Sequence, residues 1–228
     1  MFSKKLLTAA FAAAVSLPLG AAHANTITLT TAQSEFSAGT LNQGWWASNS
    51  PNTNQNDNHI TGPYNGNEYR SFYTFDLSNM TGTVKSASLL VKNGSQPGPV
   101  TLGLWDVTTA ASIVNNNDGM DEAVFADLGS GKSYGSYLIQ AGSPFDTYLS
   151  LSLNTQAFSD LGKANGFFTI GATASSAQSN FIFGATGGDV TSLRIEFADA
   201  PSAKVPEPAS LALLLAGVGG LVAARRRK

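Results

Sequence analysis

The strongest constraint in this chain is an apolar period of two. Leu149-Ser150-Leu151-Ser152-Leu153 alternates without a fault, and so does Leu193-Arg194-Ile195-Glu196-Phe197. Successive side chains on an extended backbone point to opposite faces, so each stretch predicts a strand with one buried and one wet face. In YRSFYTFDL, Tyr73, Phe75 and Leu77 share a face, whereas Phe72 breaks the pattern and is expected to be partly exposed. Ala87, Leu89 and Val91 resume the period after the turn SNMTG. Further strands are expected at Ile27 to Thr31, Val100 to Val107, Tyr134 to Ile139, Phe167 to Ala172 and Phe181 to Phe183, with Gly, Asn, Ser and Pro clusters between them. Thr155 to Ala164 alone reads as a short helix, with Asn154 as its N-cap. Eight to ten short strands and one helix predict an all-β fold over residues 25–197, an antiparallel β-sandwich of jelly-roll type. A closed barrel is the alternative.

The two ends follow a different rule. Met1 to Ala24 has Lys4 and Lys5, an apolar stretch from Leu6 to Leu19 and then Ala22-His23-Ala24, the layout of a secretory signal peptide cleaved after Ala24. Such a segment implies the Sec translocon and signal peptidase as early partners. At the other end, Ala209 to Ala224 carries no charge, and its 16 residues reach about 24 Å as a helix, a marginal membrane span. Leu, Ala, Gly and Val leave that run no polar face, which argues against a buried amphipathic helix. The basic tail Arg225 to Lys228 would stay on the cytoplasmic side while everything before Pro206 is exported. Residues 198–205, ADAPSAKV, read as the linker.

Pro206-Glu207-Pro208, the apolar run and the cluster Arg225, Arg226, Arg227 together resemble the PEP-CTERM sorting signal of Gram-negative bacteria that make extracellular polysaccharide. The resemblance covers residues 206–228 and implies an exosortase as processing partner, with cleavage near the Pro-Glu-Pro. It also implies a transient inner-membrane anchor facing the periplasm, followed by release to the cell surface or extracellular matrix.

Without its ends the chain is acidic. Of thirteen Lys and Arg, two lie before residue 25 and four after residue 204, and of fifteen Asp and Glu only Glu207 lies outside. Residues 25–204 therefore hold seven cations and fourteen anions, a net charge of about −7. None of the seven cations cluster, which argues against nucleic acid as a partner. There is no cysteine, so a thiol nucleophile, a thiolate metal site and a disulfide framework are all excluded.

Glu68 to Asn93, EYRSFYTFDLSNMTGTVKSASLLVKN, is similar to the strand-loop-strand core of DNRLRE-type and carbohydrate-binding-like sandwiches of secreted bacterial proteins. Val124 to Ile139, VFADLGSGKSYGSYLI, resembles a segment recurring in other PEP-CTERM proteins. Neither likeness brings a catalytic residue with it.

Chemistry is sparse. His23 departs with the signal peptide, leaving His59 as the one imidazole, in the Asn-rich stretch NTNQNDNHITG where a solvated loop is expected. No Gly-x-Ser-x-Gly elbow accompanies it. Asp76 and Asp106 end expected strands, where acids more often form turns than hydrolyse glycosides. The loop NNNDGMDE offers Asp118, Asp121 and Glu122 as oxygen ligands for Ca2+. An EF-hand is excluded, because aligning Gly119 with its glycine puts Val114 first and Phe125 last. Trp45 and Trp46 face opposite ways on a strand, so that one can anchor the core while the other, with Tyr64, is free to stack on a sugar; the other reading buries both.

These residues predict an exported, non-catalytic surface or matrix protein, without a cofactor unless Ca2+ binds, that associates with exopolysaccharide. The alternatives are a glycan-acting hydrolase and a self-associating structural biofilm protein.

Overall fold

A computed structural model describes residues 25–32, 35–36, 41–53, 56–94, 98–141, 143, 146–185 and 188–198. The expected signal peptide, the linker beyond Ala198 and the C-terminal tail lie outside them.

The alternating stretches form strands as their period requires. β1 (Thr26–Thr30), β11 (Ser192–Phe197), β5 (Val84–Asn93) and β8 (Thr147–Ser152) make a four-stranded antiparallel sheet in the order β1-β11-β5-β8. The second sheet has seven strands. It runs β10 (Ile182–Gly184), β3 (His59–Tyr64), β4 (Asn67–Asp76), β9 (Phe167–Ser175), β6 (Val100–Asp106) and β7 (Ser133–Ile139), with β2 (Gln43–Ala47) paired to β4.

The inner faces meet in one apolar core. Tyr73, Phe75 and Leu77 from β4 and its end pack with Leu89 and Val91 of β5 and with Leu193 and Ile195 of β11. Among the described residues the members of this core run from Ile27 to Phe197, and both sheets contribute to it. Two open sheets packed face to face are a sandwich, and the barrel alternative does not hold for the described residues.

Two expectations fail on the outer face of the larger sheet. Phe72 is 1% exposed, not partly exposed, because two helices that the apolar period did not reveal lie over it. These are α1 (Ala111–Val114) and α2 (Glu122–Asp127); with Trp46, Val114, Val124 and Leu128, Phe72 makes a second apolar cluster. The expected helix is present as α3 (Thr155–Leu161), and the Asn154 side chain accepts from the Ala157 N–H at 3.1 Å.

The first and last described residues lie together. The Phe197 N–H donates to the Asn25 carbonyl at 3.0 Å and the Ala198 N–H to the Thr83 carbonyl at 2.8 Å. The turn that joins β4 to β5 is at this same end. The ten residues of β4 lead from it to the β3–β4 hairpin at the opposite end, roughly 30 Å away at the rise of an extended chain.

Candidate functional site: an aromatic groove at the β3–β4 hairpin

The hairpin is built by Asn65-Gly66. Both residues have positive φ, 48° and 77°, the requirement of a two-residue turn that matches strand twist, and the side chain of glycine 66 is not there to oppose it. Tyr64 and Asn67 are the pair that flank the turn. In the sequence, Asn65-Gly66 is the signal of a two-residue hairpin, and Pro63 just before it is a residue that strands seldom hold.

Tyr64 is 41% exposed and ends a chain of aromatic rings. Its centroid is 4.8 Å from Phe181 and 6.3 Å from Tyr69, and Tyr69 meets Trp45 edge-on at 4.9 Å. Two concavities share the Tyr64 ring as a wall. One, of about 350 Å³, is apolar and lined by Ile60, Gly94, Phe181 and Phe183. The other, of about 530 Å³, is mixed, with Asn65, Asn67, Glu68, Ser175, Ser176 and Ser179 around it beside Pro63 and Ala174.

Its rim is tied down. Buried Asn180 donates to the Pro99 carbonyl at 3.3 Å and to Ser176 Oγ at 3.0 Å, holding the loop after β9. Glu68 Oε1 accepts from Arg70 Nε at 2.9 Å. The Arg70 guanidinium lies 4.1 Å over the Phe125 ring and donates through Nη1 to the Phe125 carbonyl at 3.0 Å, so it is committed to the α2 side. No Lys or Arg lines either concavity among the described residues.

The tryptophans do not share this surface. Trp45 is 7% exposed, packed against Ala47, Ile60 and Tyr69, and donates through Nε1 to Asn58 Oδ1 at 3.0 Å. Trp46 is 3% exposed and donates to the Val114 carbonyl at 3.0 Å. They do face opposite ways, but each side of β2 is covered, so neither indole is free to stack on a sugar. Tyr64 is the member of the expected trio that reaches solvent.

His59 is no loop residue. It opens β3, is fully buried, and lies so close over glycine 184 that a Cβ there would sit inside its ring. Its Nε2 is 3.2 Å from the Lys92 carbonyl, its ring is edge-on to Tyr73 at 5.5 Å, and among the described residues its Nδ1 has no hydrogen-bond partner. Burial pushes the imidazole down from 6.5 to about 4, against the opposing pull of the Lys92 carbonyl and the Asp189 carboxylate.

The acids serve local structure. Asp76 accepts from the Ser78 N–H at 2.8 Å as a turn former, whereas Asp106 forms no turn of its own and accepts from the distant Lys132 N–H, just before β7. Asp121 caps α2, accepting from the Ala123 and Val124 N–H groups at 2.9 and 3.0 Å. With that carboxylate turned into the helix, Asp118 and Glu122 stand exposed, and no group of three His, Cys, Asp or Glu comes together as a metal site among the described residues.

No curated protein sequence matches the chain. Among solved structures it is similar to a carbohydrate binding module, CBM6cm-2 from Cellvibrio mixtus lichenase 5A in complex with cellotriose, at 12% identity over 75% of this chain and 97% of that one. The TM-score is 0.30, a likeness too slight to carry a site across. Residues 204–228, which hold Pro206-Glu207-Pro208 and the arginine cluster, match the PEP-CTERM protein-sorting motif, which implies exosortase processing and indicates an exported chain, anchored transiently at the membrane before it is sorted.

Proposed function

We propose that the exported domain is a non-catalytic module that associates with extracellular polysaccharide through the groove at Tyr64, after exosortase has released it from the inner membrane. The half-exposed Tyr64, shared by an apolar concavity and one edged with amides and hydroxyls, carries this reading. A sugar presents C–H groups on its ring faces and hydroxyls around its edge, so a ligand of that kind uses an aromatic face and flanking amides and hydroxyls at once. The destination at the cell surface or matrix rests on the sorting motif and its basic tail.

A non-catalytic role is supported by the commitments of the polar residues. Asp76, Asp106 and Asp121 each accept a backbone N–H, in a turn, across to the start of β7 and at a helix cap respectively, and His59 is sealed from solvent. A hydrolase would instead need two carboxyls facing each other across a cleft.

Two measurements test the reading. Mass spectrometry of the protein from its native host should find a C-terminus near Glu207; released protein that still ends at Lys228 would refute the sorting step. Affinity electrophoresis of the full chain, in a neutral detergent and through the host's own polysaccharide, should show retardation that Tyr64→Ala weakens by roughly three- to tenfold, the worth of one aromatic contact. Retardation equal in both proteins would move the binding surface elsewhere.

A further inference from the structure

Resting on that glycan-binding reading, we infer that the groove selects an uncharged polysaccharide whose sugars carry an apolar substituent, an N-acetyl group being the chemistry that fits. The charge argument comes first. Neither concavity has a cation among its described lining residues, and the one charged side chain there is Glu68. Arg70, which ion-pairs with Glu68 through Nε, is the nearest guanidinium in the sequence, but its Nη1 is held by the Phe125 and Ala126 carbonyls and its face lies over the Phe125 ring. It is not free to turn toward a uronate. A carboxylated polymer would approach Glu68 unpaired, on a domain that already carries a net charge of about −7 between residues 25 and 204.

The substituent argument follows from the shape of the site. A bare hexose stacked on Tyr64 satisfies the aromatic wall and the polar shelf, and leaves the second concavity unused. That space is bounded by Ile60, Phe181 and Phe183 with Tyr64, and among its described lining side chains the Tyr64 hydroxyl is the one group that can bond a hydroxyl placed in it. A methyl group placed there removes apolar surface from water. An acetamido group supplies that methyl and adds no charge to the sugar.

Affinity electrophoresis of the full chain in neutral detergent through three soluble polymers tests this. The polymers are glycol chitin, uncharged and N-acetylated; hydroxyethylcellulose, uncharged and without an acetamido group; and alginate, a polyuronate. The expected result is strongest retardation in glycol chitin, weaker in hydroxyethylcellulose by roughly three- to tenfold, and none in alginate, with Tyr64→Ala reducing the first two. Equal retardation in glycol chitin and hydroxyethylcellulose, or any Tyr64-dependent retardation in alginate, overturns the inference and leaves glycan association standing. A chain that passes all three polymers and the host's own polysaccharide unretarded brings down both. Circular dichroism of Tyr64→Ala, a substitution at an exposed position, confirms that each comparison is between folded proteins.

Discussion

The two sheets differ most in what lies over their outer faces. On the four-stranded sheet Thr28, Arg194, Ser88 and Ser152 stand side by side in register across β1, β11, β5 and β8, exposed or half-exposed. On the larger sheet the corresponding face holds Trp46 and Phe72, buried under α1 and α2. Alternation in a sequence establishes that one face of a strand is buried. It does not establish that the other face is wet, because a short excursion of chain can return to cover it.

The largest effect expected of this difference is at Phe72. Phe72→Ala should cost about 3–5 kcal/mol in chemical denaturation, whereas Ser88→Ala on the open face should stay within about 0.5 kcal/mol. Comparable losses at the two positions would break the contrast between the faces.

Acid should act between the sheets, where His59 of β3 meets the Lys92 carbonyl of β5. The folded imidazole titrates at about 4 and an unfolded one at its ordinary value of 6.5, so the unfolded chain binds the proton first. Stability from this group is complete above pH 6.5 and is lost as pH falls through to about 4, a total of about 3 kcal/mol. Denaturation midpoints measured across that range should decline for the natural chain and decline less for His59→Gln. A parallel decline in both would show that the imidazole is not the group responsible.

The smallest of the three effects concerns the cover over Phe72. Asp121→Ala removes the acceptor of two N–H groups at the start of α2 and should lower stability by about 1 kcal/mol in thermal or chemical unfolding. Added Ca2+ should leave the melting temperature of the natural chain unchanged if the Asp121 carboxylate serves the helix; a rise that Asp121→Ala abolishes would reinstate the loop as a cation site.

Much of the fold was legible because the strands with one solvated face carry their own signature. Leu149 to Leu153 and Leu193 to Phe197 are observed as β8 and β11 within one or two residues. α1 escaped because it has four residues and no side-chain cap. α2 did carry a capping signal, Asp121 before Glu122, but the same acids also suit a cation loop, and only the direction of the Asp121 carboxylate separates the two. His59 misled for a related reason. Its neighbours Asn54, Asn56, Asp57 and Asn58 read as a wet loop, and nothing local foretells that glycine 184, more than a hundred positions away, opens a space for the ring.

The groove shows the same limit. Tyr64 and Trp45 are of one chemical kind and nearly adjacent along the aromatic chain, yet one is sealed and the other reaches water. Which ring is outermost depends on the order in which β2, β3 and β10 bring their rings together, a long-range property. The Asn65-Gly66 turn was the local part, readable from two residues.

The meeting of Asn25 with Phe197 gives the domain a direction. The described chain enters and leaves at one pole, so an attachment at either end holds the domain by that pole and leaves the Tyr64 hairpin at the far one. A domain held in this way presents the same far face whether it is tethered or released, so cutting a tether changes how far it travels without changing what it shows.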